Sequence, residues 1–236
     1  MPIAIAMVLL YELIQKRFRG EDGSALGRYT ISLVLTSLTP FAILALIAPE
    51  GFSAMIQHHA SWYCENCFSM LLYPHDLWSP IHRVVTMVMV PLILMILATR
   101  PLDTPQSVVE ISAAAVLGTI LFSYVFSPQM MLMITPLLIL AISSRVDLYT
   151  AIVADSMNAA IIVLFFEDSA LRKVLAPILG IATGYNPWSL DSPTQWAAQI
   201  RNILLFILLI SIVTTSLRRL RSASASEKVE GTEAVR

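Results

Sequence analysis

Long apolar stretches separated by short polar connections dominate the chain. Seven apolar runs stand out, at residues 2–14, 29–48, 84–99, 107–126, 130–143, 148–166 and 203–217. A membrane-spanning helix needs about 20 consecutive apolar residues, and roughly 17 suffice. Runs 29–48, 107–126 and 148–166 meet that length unaided. Runs 84–99, 130–143 and 203–217 reach it with flanking residues, and 2–14 reads as the second half of a helix. The pattern predicts an all-α, polytopic transmembrane bundle over residues 1–217. The small, polar segment 218–236 follows as a disordered cytoplasmic tail that buries no core.

Positive charge orients this arrangement. Lys16, Arg17, Arg19 and Arg28 follow the first run, Arg100 the third, Arg145 the fifth, and Arg218, Arg219 and Arg221 the last. The alternate connections hold fewer basic residues. The positive-inside rule then predicts a cell-membrane protein with its N-terminus outside and its C-terminus inside. Segments 49–83, 127–129 and 167–202 fall outside. Two of these are long, and each carries an amphipathic pattern expected of an interfacial helix. In the first, Phe52, Met55, Ile56, His59 and Tyr63 share one helical face, and His58, Ser61 and Glu65 another. In the second, Leu171, Val174, Leu175, Ile178 and Leu179 form the stripe, with Arg172 and Lys173 off it. Pro177 bends or ends that helix, and Trp62, Trp188 and Trp196 suit an interfacial belt.

Composition agrees with the pattern. Of 236 residues, 57% are hydrophobic and 13% charged, about half the charge of a soluble domain. The net charge of −1 gives no sign of a nucleic-acid partner; membrane lipid is the expected surrounding. Phosphate-binding glycine loops and the common soluble-hydrolase motifs are absent from the sequence.

The polar residues that interrupt the runs are the candidates for chemistry. Ser127-Pro128-Gln129 breaks apolar sequence between the fourth and fifth runs. Pro128 suits the first turn of a helix and Ser127 its cap. Arg201 and Asn202 open the last run, where Arg201 is placed either to hold a phosphate or to reach the headgroups. Asp155 and Asn158 lie one turn apart inside the sixth run, and intramembrane ionisable residues mark functional sites by default. Asp155 is expected to face the bundle and pair with a group such as Glu110 or Ser112. Cys64 and Cys67 leave three states open: zinc ligands completed by His58, His59 and His75, a disulfide, or buried thiols. Overall the residues favour no metal site.

The stretch FSPQMMLMITPLL, residues 126–138, resembles the Ser-Pro-Gln corner of the GT-C superfamily of multi-pass glycosyltransferases. The opening of the last run, QIRNILLF, resembles that family's Arg-Asn helix start. His58, His59 and Glu65-Asn66 fall where the family carries a histidine and Glu-Ser in an outer loop, though its intervening arginine is missing. The resemblance spans roughly residues 28–217. It implies transfer of a sugar, plausibly mannose, from a polyprenyl-phosphate donor at the extracytoplasmic face. Under it Glu65 is the candidate catalytic carboxylate, and His58, His59, Gln129, Arg201 and Asn202 bind substrate or lipid phosphate. No cofactor is implied, and a divalent cation is not indicated. The family's acidic first loop has no counterpart here. The chain therefore corresponds to the C-terminal portion, with a second chain as a possible source of the remaining helices. The alternatives are a non-catalytic membrane subunit or scaffold, and a small transporter built around Asp155 and Asn158.

Overall fold

A computed structural model describes residues 24–74, 76–98 and 104–233, with Lys16 and Gly20 as isolated positions. Run 2–14, His75 and Arg100 lie outside the described residues. The chain is all-helical, in the order α1 (Ser24–Ile47), α2 (Pro49–Ala60), α3 (Pro80–Ala98), α4 (Pro105–Leu121), α5 (Met131–Ala141), α6 (Arg145–Leu179) and α7 (Pro193–Glu233). Single 3-10 turns at Phe68–Leu71 and Pro128–Met130 complete it.

Among the described residues, four helices are long and apolar enough to cross a membrane: α1, α3, α6 and the Pro193–Arg218 part of α7. Run 107–126 was expected to span unaided, but α4 stops at Leu121 after 17 residues. Run 130–143 forms only the 11-residue α5. Both are shorter apolar helices packed within the bundle. Pro105 at the first turn of α4, with reciprocal hydrogen bonds between Thr104 and Ser107, fixes where that helix begins.

α4 is the centre of the core. Residues Ala113 to Leu117, together with Ile111, Ile120 and Leu121, are buried, against α3, α5 and α7. The small residues permit close approach. At Gly118 a Cβ would meet Ile93 Cγ2 at 2.8 Å, so α3 leans directly on the α4 backbone there. By contrast, α1 packs mainly on α2, and Leu35, Phe41, Leu46 and Ile47 stay exposed.

Two expectations for the loops change. Residues 148–166 and 167–179 are not separate helices: α6 runs unbroken for 35 residues. At 1.5 Å per residue it is about 50 Å long, well beyond a hydrocarbon core of about 30 Å. Ser144 caps its start and Gly180, at φ +65°, its end, because a left-handed C-cap suits glycine. Pro177 sits in the last turn without ending the helix earlier. In the other loop, α2 stops at Ala60, so Glu65 does not share a helical face with His58 and Ser61. The backbone of α7 also continues helically through the polar stretch expected to be a tail, to Glu233.

Candidate functional site

One end of the bundle gathers the polar residues. After α4 the chain extends through Val125, where it pairs with the loop after α2. The Glu65 N–H donates to Tyr124 O at 3.1 Å, and the Phe126 N–H donates to Glu65 O at 2.8 Å. The Ser-Pro-Gln corner follows at once. Pro128 opens its 3-10 turn as expected, but the Ser127 side chain makes no capping bond. This backbone pairing holds Glu65 beside Gln129.

Arg201 lies behind the corner and is fully buried. Its Nη1 donates to Asn158 Oδ1 at 2.8 Å. Its Nη2 donates to Asn202 Oδ1 at 3.0 Å and Phe126 O at 3.2 Å. The guanidinium also stacks 3.6 Å from the Phe126 ring centroid, a cation–π contact strengthened by burial. Asn158 in turn donates to Pro128 O at 3.0 Å. Arg201 therefore neither reaches the headgroups nor presents an open fork to a phosphate, because its donors are already committed to α6, α7 and the corner.

The loop holding Glu65 is tightly fixed. Cys64 and Cys67 are joined in a disulfide that encloses Glu65 and Asn66, which resolves the three states left open by the sequence. Ser69 and His82 lie beside it, with Ser69 Oγ and His82 Nδ1 2.9 Å apart. Asn66 has φ +50°, a left-handed conformation that asparagine tolerates better than most residues. Its side chain accepts from Gln195 Nε2 at 2.8 Å, and its carbonyl accepts from Asn202 Nδ2 at 2.8 Å. Gln199 Nε2 donates to Cys67 O at 3.2 Å. Three amides of α7 thus clamp the loop.

Two cavities meet at Glu65 and Gln129. The first, about 290 Å³, has Glu65, Asn66, Gln129 and Gln195 on its polar side. Ile161, Ile162, Phe165 and Phe166 of α6, with Trp188, form its apolar side. The second, about 460 Å³, adds His59, Trp62, Tyr124 and Ser127 to Glu65 and Gln129. Burial pushes the Glu65 carboxyl above its ordinary range, while Trp62 and the charge of Arg201 pull it the other way. The Trp62 indole N–H has no acceptor at hydrogen-bonding geometry among the described residues, so its influence is that of a nearby dipole. Burial, and then the Glu65 charge, likewise raise the Tyr63 phenol.

The other sequence candidates divide. His58 and His59 are exposed at the end of α2, packed on Trp62, and only His59 lines a cavity. Asn158 and Asn202 are structural partners of Arg201 and line neither cavity. Asp155 is exposed on α6 and lines neither cavity; expected to face inward, it lies instead on the outer side of its helix. Glu110 is buried and accepts from Gln106 Nε2 at 3.2 Å.

Some residues were missed by the sequence reading. Gln195 and Gln199, with the candidate Asn202, follow at spacings of four and three, one polar face on an otherwise apolar helix, a signal that was present. Trp188 lines the first cavity. Arg172, expected at the surface, is 1% exposed, and it donates to Asp168, Asp191, Ala182 O and Asn186 O. The spacing of Asp168 and Arg172 marks a helical ion pair, but only the fold shows that it pins the loop bearing Trp188. No family model, curated protein or solved structure matches this chain.

Proposed function

We propose that the chain is a membrane glycosyltransferase of the polyprenyl-phosphate-dependent type, or the C-terminal part of one, with Glu65 at its reacting centre. The observation that supports this reading is the position of Glu65 and Gln129 on the wall shared by the two cavities. A transferase needs two substrates to meet at one catalytic group. The raised carboxyl affinity for a proton suits a general base. In the reaction, the acceptor oxygen bonds to the anomeric carbon of the sugar as the bond from that carbon to the donor phosphate breaks. Glu65 takes the acceptor's proton, and the polyprenyl phosphate leaves with the electron pair. Gln129 orients the reacting groups by hydrogen bonding. Arg201 is a positioning residue, because it acts on Glu65 through its field.

The reading places the site at the extracytoplasmic face, with mannose as the sugar to try first. Membranes containing the chain, with and without co-expressed neighbouring gene products, are incubated with radiolabelled polyprenyl-phosphate mannose. Transfer is expected, falling by about 10²-fold or more in Glu65→Gln, the size of a lost general base. Neither transfer nor binding of the lipid phosphate in any combination would overturn the proposal. The exposed apolar length of α1 favours a second reading, a non-catalytic subunit seated against further helices. On that reading, Glu65→Gln and Gln129→Ala leave cellular glycans unchanged.

A further inference from the structure

The two cavities differ in chemistry, although they share a wall. Among the described residues, no lysine, arginine or histidine lines the first. An anion there would face Glu65 without a cation in contact, since Arg201, the guanidinium that acts on Glu65, donates to Asn158, Asn202 and Phe126. Gln195 is 1% exposed, and its Oε1 has no partner among the described residues. That oxygen is a buried acceptor on a residue of the cavity wall, so a small rotation of the side chain would let a hydroxyl satisfy it, whereas a phosphate oxygen has no proton to offer. Trp188, its ring edge-on to Phe165 at 5.7 Å, supplies an aromatic wall of the kind that packs on the C–H face of a sugar ring. Ile162 is 51% exposed and Phe166 75%, so the apolar side continues onto the outer surface of α6, a candidate membrane span. The second cavity holds what the first lacks, the imidazole of His59, beside Trp62, whose indole N–H already acts on the Glu65 carboxyl.

We infer that the first cavity receives the neutral, hydroxylated head of a sugar-bearing lipid, its tail leaving along Ile162 and Phe166, and that an anionic phosphate head is left to the second cavity. The volume of about 290 Å³ lies at the small end of ligand sites and suits a single ring. This assignment rests on the proposal that both cavities serve one lipid-linked sugar site. It is tested by binding alone, so failure of binding and failure of transfer are separate results.

The test uses the full chain in phosphatidylcholine nanodiscs and two probes with the same brominated alkyl tail, one bearing β-glucoside and the other phosphate. Bromine quenches nearby tryptophan, and the Trp188 component is read as the difference from Trp188→Phe. The glucoside is expected to quench that component saturably, with a midpoint at least about tenfold below that of the phosphate, a difference of about 1.4 kcal/mol. Ile162→Phe narrows the exposed rim without entering the core, and is expected to raise the glucoside midpoint by a similar factor. Equal or stronger quenching by the phosphate would overturn the inference, as would non-saturable quenching by both probes or a midpoint unmoved by Ile162→Phe.

Discussion

Among the described residues two arginines are buried in this bundle, and they are treated in opposite ways. Arg172 has its charge balanced on the spot, by Asp168 at 3.0 Å and Asp191 at 2.7 Å. Arg201 has no carboxylate within salt-bridge distance among the described residues. Amides, a carbonyl and an aromatic ring hold it. A locally neutralised charge fixes structure and projects little field. A charge solvated only by dipoles keeps its field, and the nearest group to feel it is Glu65. The first arginine is a latch for the Trp188 loop; the second sets the electrostatics of the site.

The sharpest way to break this comparison is to remove each arginine. Arg172→Leu leaves Asp168 buried and uncompensated, and is expected to cost about 3–5 kcal/mol, measured as unfolding free energy in mild detergent. Arg201→Gln leaves neutral acceptors behind and is expected to cost less, about 1–3 kcal/mol. It alone should move the titration of Glu65 upward, read from the infrared carboxyl band. If both substitutions shift Glu65 equally, the distinction fails. Reducing the Cys64–Cys67 disulfide frees a ring of only four residues, which costs at most about 2 kcal/mol on loop entropy. Its larger expected effect is a loss of the fixed Glu65 geometry, seen as weaker ligand binding with the melting temperature little changed.

The smallest effect concerns pH. The folded protein holds the Glu65 proton more tightly than the unfolded chain, whose value is near 4.5. Protonation therefore favours the folded state. The contribution is fully present below about pH 4.5 and is lost as pH rises through the raised folded value. Glu65→Gln should flatten this slope. An unchanged slope would show that Glu65 is not the group responsible.

Much of the architecture was legible because lipid leaves few options. Long apolar runs in a low-charge chain must be helices, and four of them are long enough to span. What misled was length. α4 is short yet buried because its small residues let it pack within the bundle, and α5 buries only one side, through Met131, Ile134, Leu138 and Ala141, a tertiary fact that hydropathy does not carry. Pro177 suggested a break that α6 does not take. Within the site, Glu65, Gln129 and Arg201 stood out as polar interruptions of apolar sequence, and the fold gathers all three at one end. Their division of labour was not legible, because burial decides which side chains line a cavity and which support it. Gln195 and Gln199 were missed for a related reason. Neutral amides attract little notice until they are seen clamped against each other across the fold.

That clamp spans more than half of the chain. Asn66 is held by Gln195 and Asn202, 129 and 136 residues further on. Contacts of such separation close late, after the intervening helices are in place. During synthesis, Glu65 and the Ser-Pro-Gln corner emerge well before α7 exists to seat them. The first cavity therefore gains its full lining only when α7 arrives. A ribosome-bound intermediate stopped before Gln195 would hold every residue of the shared wall, yet lack the amides that set it in place.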